Sequence, residues 1–158
     1  MSASTALLAA ILTAFVLAAP GAARAQADAP AGYDAERAQR LGADEYGMRR
    51  YVFVLLKTGP KPMPAGKERD EMFRGHFANM QRLAGEGKLV LAGPFDNVDG
   101  WRGLFIMATA DIEEARRWTA TDPVIASGEM VAEYHRYFGS AALMAVTEEH
   151  KKIAKKSF

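Results

Sequence analysis

Tyr51-Val52-Phe53-Val54-Leu55-Leu56 is the stretch whose reading decides the fold. Aromatic and β-branched residues run without a polar break and stop at Thr58-Gly59-Pro60, which marks a strand. Tyr51, Phe53 and Leu55 share one face, and Val52, Val54 and Leu56 the other. A strand apolar on both faces must be covered on both faces. The helices of a small domain can cover one, and a second subunit the other.

Downstream, Lys61–Gly66 (KPMPAG) holds two prolines and reads as a loop. A long helix is expected over about Lys67–Ala84, where Phe73, Phe77, Met80 and Ala84, with Leu83 beside them, form a stripe at i, i+4, i+7 and i+11. Gly85 and Gly87 end it. Leu89–Phe95 and Gly103–Thr109 read as strands joined through the turn residues Asp96–Gly100. Asp111, with Glu114 at N3, is close to a capping box and starts a second helix, with Ala115, Trp118 and Thr119 facing inward. Asp122-Pro123 ends that helix. A single turn follows to Gly128, and Met130–Phe138 is the fourth strand.

The order β-α-β-β-α-β predicts an α+β, ferredoxin-like fold: a four-stranded antiparallel sheet with two helices on one face. The doubly apolar first strand adds the expectation of a homodimer, assembled as a dimeric α/β barrel.

The flanks read differently. Ala6–Ala19 is an uninterrupted apolar run, short for a membrane span, leading to Ala23-Arg24-Ala25, a small-x-small cleavage pattern. The reading is a cleavable signal peptide over residues 1–25 and a periplasmic or secreted protein without stable membrane insertion after cleavage. An uncleaved anchor is the alternative, since MSAST carries no Lys or Arg. Residues 26–50 read as a polar arm, with a short helix over Asp34–Leu41 stopped by Gly42. Residues 51–143 form the domain, and residues 144–158 a basic helical tail that can contact anionic envelope components.

Composition narrows the chemistry. The chain has 158 residues, 49% hydrophobic, with a formal net charge of +1, which argues against a large nucleic-acid surface. Cysteine is absent, which removes thiol nucleophiles, zinc–thiolate sites and disulfides. No HExxH, GxSxG or P-loop spacing is present, and neither a metal nor a cofactor is expected.

His76 falls on the inner side of the long helix, as a hydrogen-bonded core residue or as a titratable group lining a cavity. Asp122 can cap the turn that Pro123 begins, or, since both helices lie on one sheet face, meet His76. Such a pair suits general acid–base catalysis. His135 shares a strand face with Glu133 and Tyr137, either as surface or as further polar groups of one site. His150 lies in the polar tail.

GHFANMQRLAGEGKLVLAGPF (75–95), TDPVIASGEM (121–130) and AEYHRYFGSAAL (132–143) resemble the YCII-related (YciI-like) domain family of the dimeric α/β barrel superfamily. The resemblance implies a ferredoxin-like fold, usually dimeric, with a His–Asp pair in a cleft. Residue by residue it implies His76 and Asp122 as that pair, with Gly93 and Pro94 as the family's Gly-Pro. The clearest chemistry it implies is that of a dehydrohalogenase acting on a chlorinated hydroxyquinol. The function expected is therefore a cofactor-independent lyase or isomerase, with His135, Tyr137, Gly93 and Pro94 as substrate contacts. The alternative is a non-catalytic, small-ligand-binding or stress-related dimer.

Overall fold

The computed structural model describes residues 29–156. The expected signal peptide, residues 1–25, lies outside the described residues. Before Ala35, Tyr33 N–H closes a turn onto the Pro30 carbonyl at 3.0 Å. Helix α1 (Ala35–Leu41) follows, and Arg49 donates to the Leu41 carbonyl at 3.0 Å.

Strand β1 is Met48–Thr58, helix α2 Lys67–Gly85, β2 Leu89–Val98 and β3 Trp101–Met107. Helix α3 (Ile112–Thr119) and the single turn α4 (Pro123–Ala126) lead to β4 (Met130–Ser140), a 3₁₀ turn (Ala141–Ala145) and α5 (Val146–Ile153). Local chemistry sets the boundaries. Gly87, at φ +69°, ends α2: its N–H donates to Ala84 and that of Lys88 to Leu83, closing the last carbonyls. Asp111 accepts from Glu113 N–H at 2.9 Å, while Glu114 receives the Thr109 hydroxyl at 2.6 Å instead of folding back to Asp111. The cap is made, but the box is closed through Thr109, whose oxygen takes the Asp111 N–H.

All three strand pairings are antiparallel, in the order β2-β3-β1-β4. The α+β class and the four-stranded antiparallel sheet are as expected. The barrel is not. The sheet is open, with β2 and β4 as its two edges, whereas closure requires every edge to be paired.

The reason lies in what covers the second face of β1. Val52, Val54 and Leu56 join Phe105 and Met107 beneath α2 and α3 in the main core. On the other face Tyr51, Val90 and Ile106 are buried in a smaller cluster, with Leu143 and Met144 of the 3₁₀ turn packed onto them. The chain folds back to cover, at this end, the face assigned to a second subunit. Tyr51 Oη donates to the Ser140 carbonyl at 3.0 Å, which secures the return. Burial, only partly offset by the Arg49 charge, pushes the Tyr51 phenol above its ordinary range. Tyr51→Phe removes that bond and is expected to cost about 1 kcal/mol, read as a lower urea midpoint. An unchanged midpoint would show that the Tyr51 hydroxyl does not hold the turn.

The α2 stripe is rotated by one residue from the expected one. Met72, His76, Asn79 and Leu83 are buried, and Phe77 is 41% exposed. The polar His76 and Asn79 are inside because partners meet them there. Among the described residues no helix is long and apolar enough to cross a membrane.

Candidate active site

Helix α2 carries His76 inward, and the turn after α3 brings Asp122 to meet it. His76 is 7% exposed and Asp122 is fully buried. His76 Nδ1 lies 2.9 Å from Asp122 Oδ1 and 2.8 Å from Oδ2, so one N–H donates to both carboxylate oxygens. Oδ1 also accepts the Val124 N–H at 3.1 Å, capping α4 with Pro123 at its first position. Both sequence readings of Asp122 therefore hold at once. The cap fixes the carboxylate, and the carboxylate fixes the imidazole.

Three phenylalanine rings set the plane of the imidazole. Phe73 meets it edge-on at 5.9 Å, Phe105 stacks at 6.2 Å, and Phe77 lies at 5.4 Å. Further along, Asn79 Oδ1 accepts from Thr121 at 2.9 Å and from Arg82 at 2.8 Å, tying α2 to the residue before Asp122.

Gly75 permits the approach. A Cβ there would stand 3.1 Å from Pro123 Cγ, tighter than ordinary packing allows. Gly75→Leu is expected to push the Asp122 turn off α2 and to weaken both the dyad and the fold. A crystal structure of the variant with the 2.8 Å contact intact would contradict this.

A cleft of about 450 Å³ opens beside His76. Leu56, Phe73, Phe77, Phe105 and Met130 supply apolar walls, Gly93 and Pro94 part of the β2 side, and Arg102 a cation. With Nδ1 committed to Asp122, Nε2 is the ring atom left for a bound molecule. A second cavity of about 420 Å³ between α2, β2 and α5 shares Phe77, Met80 and Ala92 with the first. His150 lines it, whereas His76 lines only the first.

Of the residues singled out in the sequence, the structure brings together His76, Asp122, Gly93 and Pro94. It does not bring His135 and Tyr137 to them. His135 stands opposite Phe53 and Tyr137 opposite Tyr51, on the face away from the helices. Tyr134, between them, points the other way and bonds Thr119 at 2.6 Å. Among the described residues no three His, Cys, Asp or Glu side chains converge as metal ligands.

The sequence reading missed Gly75, Arg102 and Glu129. Glu129 is 1% exposed, accepts the Met63 N–H at 2.6 Å and Arg69 at 3.2 Å, and lies 3.5 Å from Arg102. It pins the proline loop and two arginines beside the cleft. A buried carboxylate needs such partners, but only Arg69 and Arg102, distant in sequence, mark the need.

The family model described as the YCII-related domain matches residues 51–136, which span the dyad and most of the sheet. The chain belongs to the YCII-related domain family. Uncharacterized protein YjpA of Bacillus subtilis (strain 168) is 33% identical to it over 78 residues, 49% of this chain and 84% of that protein. A solved structure of 5-chloro-2-hydroxyhydroquinone dehydrochlorinase (TftG) from Burkholderia phenoliruptrix AC1100, in complex with 2,5-dihydroxybenzoquinone, is 18% identical. It covers 54% of this chain and 92% of that one, with a TM-score of 0.40, too low to carry an argument about this site. Within the YCII-related match lie His76, Asp122, Gly93, Pro94, Arg102, Glu129 and His135, while Tyr137 and α5 lie beyond it.

Proposed function

We propose that this YCII-related protein is a lyase or isomerase acting on a small molecule in the cleft beneath α2. The observation that carries the reading is the buried His76 ring, held through Nδ1 by both oxygens of Asp122 while lining a cleft of about 450 Å³. His76 Nε2 takes a proton from a carbon next to a carbonyl, and the C–H electron pair moves into the enolate. The proton then returns to a different carbon, giving an isomer, or passes to a departing group as the C=C bond forms, giving elimination. Asp122 orients the ring and stabilises its cationic form during transfer. Protein side chains suffice for these steps, so no cofactor enters the scheme.

The test is deuterium incorporation from D₂O into a panel of small carbonyl compounds, followed by NMR. Exchange that depends on His76 is expected for at least one compound. Exchange equal in protein and His76→Ala, with ligand still bound, would instead favour a non-catalytic binding protein.

Export and self-association belong to the same reading. Export is supported by the Ala6–Ala19 run before Ala23-Arg24-Ala25. The mass of protein recovered from the envelope fraction should lack residues 1–25, and a full-length mass would refute it. Self-association is supported by Val131 and Tyr137, each 40% exposed on the face away from the helices. Light scattering should return a homodimer mass, and a monomer mass would refute that.

A further inference from the structure

We infer that Arg102 makes the dyad cleft an anion-binding site for a small, largely apolar carboxylate. The inference rests on reading this cleft as the substrate site. It starts from a charge imbalance. Arg69 and Arg102 share the single carboxylate of Glu129. Arg69 is committed: it donates to Glu129 at 3.2 Å and lies over the Phe73 ring at 4.6 Å. The remaining Glu129 oxygen is taken by Met63 N–H at 2.6 Å.

Arg102 is left differently. Among the described residues its guanidinium makes one ion pair, at 3.5 Å, and no hydrogen bond. Its side chain is 25% exposed and lines the cleft that His76 lines. A guanidinium carries five N–H donors in a planar fork, and a carboxylate offers two acceptors at matching spacing. Glu129 is held by the Met63 N–H and Arg69. One positive charge with open donors therefore faces a cleft whose other walls are mostly apolar.

Those walls define the rest of the guest. Phe73, Phe77, Phe95 and Phe105 contribute rings, and about 450 Å³ suits one ring with substituents. A guest anchored on Arg102 has its apolar body left to lie among these rings, with His76 in the same wall. Glu129 acts through Arg102 as a positioning residue.

Benzoate and benzamide test this, because they share shape and differ in charge. Titrating each into the full chain, with the backbone amides of cleft residues followed by NMR, should show benzoate binding about tenfold or more tighter. Arg102→Gln should erase that preference while leaving benzamide unchanged, and Arg102→Lys should keep part of it. His76→Asn should leave it intact, which separates anion recognition from proton transfer. If His76 proves dispensable for exchange but the preference stands, the proposed reaction fails and the anion site survives. Equal affinities, no cleft shifts with millimolar benzoate, or a preference that persists in Arg102→Gln would overturn the inference.

Discussion

Replacing His76 with alanine is expected to slow proton transfer by about 10²–10⁴-fold, the range a positioned general base supplies. The substitution also leaves the fully buried Asp122 carboxylate with the Val124 N–H as its one partner among the described residues. Breaking a buried pair from one side costs about 3–5 kcal/mol, so part of any lost activity in His76→Ala would come from lost fold. Asp122→Asn separates the two effects. Asparagine caps a helix as well as aspartate does, so α4 keeps its first hydrogen bond. The shape is conserved, while the charge that stabilises a cationic ring and one of the two acceptors facing Nδ1 are removed. A rate loss of about 10²-fold with the urea midpoint little changed is the expected result for Asp122→Asn. Full activity in both variants would remove the dyad from the chemistry.

Glu129→Ala is expected to produce the largest stability loss of any single change outside the dyad, about 3–5 kcal/mol. The half-buried Met63 N–H would lose its acceptor, and Arg69 and Arg102 would face each other without the charge between them. Acid should reveal the same residue. Burial is the strongest single influence on Glu129 and pushes its carboxyl up. The Met63 N–H, the Arg69 hydrogen bond and the two arginine charges together outweigh it, holding the group below the usual carboxylate range. A carboxyl lowered by folding contributes stability that is complete above its unfolded value and is lost as pH falls through the folded one. Stability should therefore drop below about pH 4, and Glu129→Gln should flatten that acid limb. Urea midpoints at neutral and acid pH measure it, and parallel losses in both proteins would contradict the assignment.

The strands and helices were legible because their signals are local. Tyr51–Leu56 announces a strand by its own residues, and Gly87 and Asp122-Pro123 announce helix ends by backbone chemistry. What was misread depends on distant partners. The rule that placed Phe77 inside counts apolar residues; it put His76 on the inner side too but passed over Asn79. Their partners lie more than forty positions away: Asp122 meets the His76 ring, and Thr121 donates to Asn79 Oδ1. The barrel was inferred because both faces of β1 need cover, yet nothing local shows that Leu143 and Met144 return to supply it.

His135 and Tyr137 show the same limit. Alternation along β4 ties them to one face, but only the pairing of β1 with β4 says which face is turned from the helices. Asp122 was legible twice, as a cap and as a partner, and both roles rest on one carboxylate. Arg102 carried no signal, since an arginine beside a glycine in a strand is ordinary until Glu129 and the cleft stand next to it.

The most direct test is a long-range ¹⁵N–¹H correlation spectrum of His76 recorded across a pH series. The Nδ1 proton should persist throughout, with Nε2 the nitrogen that gains and loses a proton, and Asp122→Asn should disturb the Nδ1 signal. A neutral ring protonated on Nε2, or a spectrum indifferent to Asp122→Asn, would contradict the dyad.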